Sequence, residues 1–212
     1  MKNTIKLICT LSLLICLGAT LTANGQNTIR FGITGGLNAS NIKTSFRSDI
    51  LWKYNAGISF AKELSGNFSL ASELVYSSQG RRLILNRPEK YITHLDYIAI
   101  PVLVRFRPDG KNLFIQAGGK FSVLTNSREI HTNSNNISST NDINHLRQWD
   151  AGAVGGLGYW LGSHVVVDVR YYYGLAPLIK KHTVLGPELT PIFFGAPKWS
   201  NRVWSLNLTY YL

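Results

Sequence analysis

The chain ends on a strict two-residue alternation. Trp204, Leu206, Leu208, Tyr210 and Leu212 are large and apolar, while Ser205, Asn207 and Thr209 between them are small and polar. A strand with that period sends alternate side chains to opposite faces, one in an apolar medium and the other in a wetter, narrower space. Seven earlier stretches repeat the pattern, near residues 28–40, 53–63, 68–80, 93–106, 112–124, 147–161 and 164–175. In the first, Ile29, Phe31, Ile33 and Leu37 oppose Arg30, Thr34, Asn38 and Ser40; in the seventh, Val165, Val167, Val169, Tyr171 and Tyr173 oppose Asp168 and Arg170. With the last stretch, 199–212, the pattern predicts eight strands.

The connections sharpen this reading. Leu64-Ser65-Gly66-Asn67, Pro108-Asp109-Gly110-Lys111 and Gly162-Ser163 are tight-turn sequences. The other four connections, 41–52, 81–92, 125–146 and 176–198, are long, so short and long alternate without exception. An even-stranded, antiparallel, up-and-down transmembrane β-barrel has this arrangement, with turns on the periplasmic side and loops outside when the N-terminus starts in the periplasm. Strands of eleven residues or more exceed the roughly 5 to 6 usual in soluble sheets and suit a tilted membrane crossing. The expected fold is therefore all-β, with Trp204, Leu206, Leu208, Tyr210 and Leu212 as the lipid face of the closing stave. Pro101 lies within a strand and reads as a local bulge. The pairs Gly35-Gly36, Gly118-Gly119 and Gly155-Gly156 fall mid-strand, where they make room for bulky neighbours or allow curvature.

The start of the chain sets the compartment. Lys2 and Lys6 precede an uncharged apolar run, 7–17, and then small residues ending in Ala23-Asn24-Gly25. The run is too short for a membrane-spanning helix, which needs about 20 residues, and the pattern is that of a secretory signal peptide. Residues 1–25 are expected to be removed, leaving a single barrel domain over 26–212. Cys9 and Cys16 lie in the removed segment, so the mature domain is expected to have no disulfide, thiol nucleophile or cysteine metal site. A lipid anchor at Cys16 is disfavoured by the bulky Ile15 before it.

Charge brings in the candidate chemistry. If the apolar faces meet lipid, then Arg30, Glu73, Arg105, Lys120, Asp150, Asp168 and Arg170 converge inside. An eight-stranded barrel has an interior that side chains fill, so the expected role is a structural ion-pair network rather than a proton or ion path. Cations beside Glu73 and Asp168 would keep both ionised, which leaves that pair without a general acid. No catalytic residue, cofactor or metal site is expected, although His131, Asp142 and His145 share one loop and Ser163-His164 sits at a turn. Without Lys2 and Lys6 the chain has 20 basic and 11 acidic side chains, net +9. Much of the excess falls in or beside the long loops. Arg81, Arg82, Lys180 and Lys181 are candidate contacts to lipopolysaccharide phosphates, and Ile192-Phe193-Phe194 is a candidate partner surface. The compartment excludes nucleic acid.

Three motifs resemble a known family. Gly36-Leu37-Asn38-Ala39-Ser40, Glu73-Leu74-Val75-Tyr76-Ser77-Ser78-Gln79-Gly80 and Tyr97-Ile98-Ala99-Ile100-Pro101-Val102-Leu103 are similar to the PorT-type outer-membrane β-barrel proteins of the Bacteroidetes. The likeness extends over essentially the whole mature chain. It implies an eight-stranded barrel in the outer membrane of a Gram-negative bacterium, and its named member is implicated in protein secretion. Ala99 stands where family members often carry an acid. The expected function is a non-enzymatic barrel, structural or accessory to an envelope or secretion complex, inserted by the barrel-assembly machinery through its closing strand. A small pore or uptake channel and a lipid-modifying enzyme are the alternatives.

Overall fold

The computed structural model describes residues 29–43, 48–84, 90–132, 138–142, 146–176 and 200–212. Within them lie ten strands: β1 (Ile29–Lys43), β2 (Ser48–Asp49), β3 (Leu51–Ser65), β4 (Phe68–Ile84), β5 (Lys90–Phe106), β6 (Leu113–Thr132), β7 (Ser138–Asp142), β8 (Trp149–Leu161), β9 (Val165–Gly174) and β10 (Ser200–Tyr211). All but β2 and β7 are staves of one closed antiparallel barrel. Each stave pairs with its neighbours in the chain, and β10 returns to pair with β1. The short β2 adds to β4, and β7 adds to β6.

Closure fixes the geometry. Followed once around the barrel through paired residues, Phe31 leads to Phe60, Ser72, Val102, Gly119, Ala153, Tyr173 and Arg202, then to Asn41, ten residues further along β1. With strands about 4.8 Å apart and a rise of about 3.3 Å per residue, that stagger tilts the staves by roughly 40°.

The alternation read from the sequence becomes an outside and an inside. Ile33, Leu37, Leu157 and Leu208 are each more than half exposed, whereas Asn38, Ser59, Glu73, Asp168 and Thr209 are buried. Aromatic side chains bound the apolar band. One ring at the turn end holds Phe31, Phe60, Phe68, Phe106, Tyr159 and Tyr210; the other, roughly 20 Å higher on tilted staves, holds Trp52, Tyr54, Tyr76, Trp149, Tyr171 and Trp204, and most members of both are exposed. Neighbouring staves are tied within these rings by Phe31–Phe60 at 5.3 Å, Phe68–Phe106 at 5.1 Å and Tyr171–Trp204 at 4.8 Å. Aromatic girdles around an apolar band about 25 Å tall characterise outer-membrane barrels. The three tight turns lie together at the other end of the staves from the long connections. Each carries one glycine with a positive φ: Gly66 at 49°, Gly110 at 67° and Gly162 at 78°.

Two expectations need correction. Residues 81–92 and 125–146 are not wholly loop, because β4 runs to Ile84, β5 begins at Lys90 and β6 continues to Thr132. Above the lipid both faces of a strand can be polar, so backbone pairing persists where the alternation has ended. Nor does Pro101 make a bulge. The β4–β5 register is the same on either side of it, Ser72↔Val102 below and Val75↔Ala99 above, and pairing simply lapses between. The missing amide interrupts the ladder without inserting a residue. The register shift in β5 lies instead at Asp96/Tyr97.

Depth in the apolar band yields a prediction. Leu208→Arg, near the middle of the band, is expected to cost about 2 to 4 kcal/mol, and Leu212→Arg, at its edge, about 0 to 1 kcal/mol. Urea unfolding in lipid vesicles measures both; equal costs would contradict this placement of the bilayer.

Candidate functional site: the barrel interior

Three levels of side chains fill the interior. At the turn end, the Arg30 guanidinium lies 3.3 Å from Glu63 and donates to the Ser163 carbonyl at 3.3 Å. It also sits over the Trp160 ring, which stacks on Tyr211. Phe114 is buried here against Gly158, where any Cβ would run into its ring.

The middle level is a continuous polar network. Arg105 donates through Nε to Gln116 at 3.1 Å and through Nη1 to the Tyr211 hydroxyl at 2.9 Å, and its Nη2 lies 3.9 Å from Glu73. Both carboxylate oxygens of Glu73 accept from Arg170, each at 2.7 Å. Arg170 also reaches Asp168, through Nη2 at 2.8 Å and Nε at 2.6 Å. Asp168 accepts from Asn207, whose own carbonyl accepts from Asn55, which donates again to Asn38. Asn38 donates to Ser77 and to the Ser78 carbonyl. Two guanidinium groups thus face two carboxylates at the barrel's centre with exposures of 7% or less. Charges this deep persist when paired and hydrogen-bonded, and the forked Arg170–Glu73 geometry is the strong form of such a pair.

The third level is looser. Lys120 Nζ lies 3.4 Å from the centre of the Tyr172 ring, and Asp150 accepts from Asn201 at 3.1 Å. Around them Ser122 Oγ is buried without a hydrogen bond to protein, and the Tyr172 and Tyr97 hydroxyls lie beside Asp150 and Asn201. A cavity of about 40 Å³ lies between this level and the central cluster, lined by Lys120, Tyr172, Arg170 and Glu73 among others. Its polar lining and size suit water. Leu95, Tyr97 and Leu146 form an apolar cluster at this end.

The structure therefore separates the seven charges expected to converge. Glu73, Arg105, Asp168 and Arg170 meet; Lys120 and Asp150 form a second group; Arg30 belongs to the rim, paired with Glu63. Sequence reasoning missed the uncharged links Asn38, Asn55, Asn207, Gln116 and Tyr211, whose inward positions in the alternation were the available signal. Arg81, expected to contact lipopolysaccharide, is instead buried, while Arg82 is exposed. Strand β4 continues through both, so one faces in and the other out. Lys180, Lys181, Ile192, Phe193, Phe194 and the expected signal peptide lie outside the described residues. Among the described residues no group of three or more His, Cys, Asp and Glu side chains is placed to hold a metal. Ser163 Oγ is 2.6 Å from His164 Nδ1 in the exposed β8–β9 turn, and the His164 ring stacks on Tyr210.

Residues 22–180 match the family of outer membrane protein beta-barrel domains. The chain belongs to that family. Its place is accordingly the outer membrane. Among solved structures this outer-membrane barrel is similar to Neisserial surface protein A, at 11% identity and a TM-score of 0.50, over 85% of this chain and 96% of that one. It is also similar to Ail, the attachment invasion locus protein of Yersinia pestis, at 12% identity and a TM-score of 0.46, over 86% and 98%. A third likeness is to OprG of Pseudomonas aeruginosa, at 13% identity and a TM-score of 0.43, over 89% and 98%. No curated protein matches the sequence.

The levels differ in what they contribute to stability. Arg170→Leu leaves two buried carboxylates short of their cation and is expected to cost about 3 to 5 kcal/mol. Arg30→Leu breaks a pair that is 35% and 57% exposed and is expected to cost about 0 to 1 kcal/mol. Urea midpoints of the two variants in detergent compare them directly, and indistinguishable midpoints would contradict a central plug.

Proposed function

We propose that this barrel is a non-enzymatic outer-membrane protein, structural or accessory to an envelope or secretion complex, acting through its loops and periplasmic turns. The observation that carries this reading is the cross-linked interior. The Arg105–Glu73–Arg170–Asp168 cluster and its asparagine chain occupy the barrel's centre, where a pore would need open space. The chemistry of the interior is structural as well. Glu73 is held by Arg170 and Arg105, and Asp168 by Arg170 and Asn207, an arrangement that suits charge pairing.

In this reading the N-terminus and the three tight turns face the periplasm, and the long connections face outward. The motifs at Gly36, Glu73 and Tyr97 support a place among the PorT-type proteins of the Bacteroidetes. Arg82, with Lys180 and Lys181 of the long connection 176–198, would meet lipopolysaccharide phosphates; Ile192, Phe193 and Phe194 would offer an apolar surface to a partner. Trp204, Leu206, Leu208, Tyr210 and Leu212 would present the closing strand to the barrel-assembly machinery.

Gentle detergent extraction of native membranes, followed by affinity purification of the tagged protein, tests the accessory role. A stoichiometric envelope or secretion component is the expected companion, and recovery of the barrel alone would contradict that role. In planar bilayers the wild-type barrel is expected to show no steady conductance; stable ion-selective channels would favour the pore instead.

A further inference from the structure

We propose that the lipid-facing wall of β6 and β8 seats one acyl chain of a phosphorylated lipid A molecule, whose phosphate is held by Arg147. A groove of about 700 Å³ opens on this wall, between Ile100 and Val102 on one side and Leu175 on the other, with Phe121 and Trp149 along it and Arg147 lining it too. Its base carries the small residues Gly119 on β6 and Ala151 and Gly152 on β8; further along the same wall Gly119 stands opposite Ala153 and Ala117 opposite Gly155. On β10 the outward positions carry Trp204, Leu206, Leu208 and Tyr210, all exposed. An apolar slot in a lipid-facing wall matches the shape of a hydrocarbon chain.

The glycines of this wall are not demanded by the fold. A Cβ at Gly119 would meet nothing nearer than the Gly152 carbonyl at 3.8 Å, and one at Gly155 would meet nothing within 4 Å. Their inward neighbours differ, because a Cβ at Gly118 or Gly156 would collide with the adjacent backbone. Glycine inside a strand weakens it and often marks close approach by a ligand or another chain. Gly35 on β1 is also free of collision, with its nearest neighbour at 3.6 Å, but it stands between the large Ile33 and Leu37.

Charge sets the direction of the lipid. The Arg147 guanidinium lies over the Trp149 ring, 4.5 Å from its centre, and Trp149 belongs to the aromatic ring on the loop side. A cation is thus held at the water edge of an apolar slot, where it complements a phosphate attached to a buried chain. The choice of lipid A rests on the orientation proposed above, which places this leaflet on the cell surface.

The test uses the full-length mature barrel in detergent micelles, titrated with bisphosphorylated lipid A, its dephosphorylated form and phosphatidylglycerol, with native mass spectrometry counting bound lipid. One bisphosphorylated lipid A is expected to bind, with about tenfold weaker binding after Arg147→Ala or on removal of the phosphates. Gly119→Leu, whose Cβ would come no nearer than 3.8 Å to the Gly152 carbonyl, is expected to abolish binding while leaving the urea midpoint unchanged. Binding that survives both Gly119→Leu and Ala151→Leu, the second also lining the groove, would overturn the seat, as would no bound lipid at all. Equal binding of phosphatidylglycerol would overturn the assignment to lipid A. Labelling of a cysteine placed at Asn126 by an impermeant maleimide on intact cells separately checks the orientation, so an inverted barrel is distinguished from a missing seat.

Discussion

Everything in this structure depends on the pairing of the first strand with the last. Inside a bilayer an unpaired backbone amide or carbonyl has no water to turn to, so a sheet can cross only when it has no edge. The twelve paired positions from Gly32↔Tyr211 to Lys43↔Ser200 remove that edge. Once the seam closes with a stagger of ten, the tilt, the radius and the depth of every side chain follow. The stagger decides which inward residues share a level. It brings Arg105 on β5, Glu73 on β4 and Arg170 and Asp168 on β9 to one point, and it leaves Arg30 at the rim.

The interior then has to be filled and neutral. An eight-stranded barrel is too narrow to leave its lumen to bulk water and too wide to leave charges unpaired without cost. Two cations against two anions, linked to Asn207, Asn55 and Asn38, meet that demand by pairing and by supplying donors to the remaining lone pairs. The same network ties together staves distant in sequence, so the central cluster also resists unfolding. The wall shows the complementary logic. Rings stack across staves at the two interfaces, and the small residues of β6 and β8 break an otherwise bulky surface.

The barrel was legible in the sequence because two-residue periodicity reports directly on which medium each face meets. Ile29 to Leu37 and Trp204 to Leu212 could be assigned to lipid, and Asp168 and Arg170 to the interior, from alternation alone. Depth was not legible, since it comes from the register between staves. That is why Arg30 and Arg170 looked equivalent and why Glu63, the rim partner of Arg30, went unnoticed. The upper strand ends were hidden for another reason. Beyond the aromatic ring both faces of a strand can be polar, and the stretch from Gln79 to Arg82 continues the strand without an apolar rhythm, which put Arg81 outside when it is buried within.

The seam itself offers the most direct measurement. The chain has cysteine at positions 9 and 16 alone, so the barrel gives a clean background for Leu37→Cys with Leu206→Cys, residues paired across β1 and β10. Paired residues in neighbouring antiparallel strands stand roughly 4.5 to 5.5 Å apart at Cα, within disulfide reach. Oxidation in native outer membranes is expected to link these two efficiently and to leave Ile33→Cys with Leu206→Cys, four residues out of register, unlinked. Absence of the first link, or equal formation of the second, would contradict the closed barrel in this register.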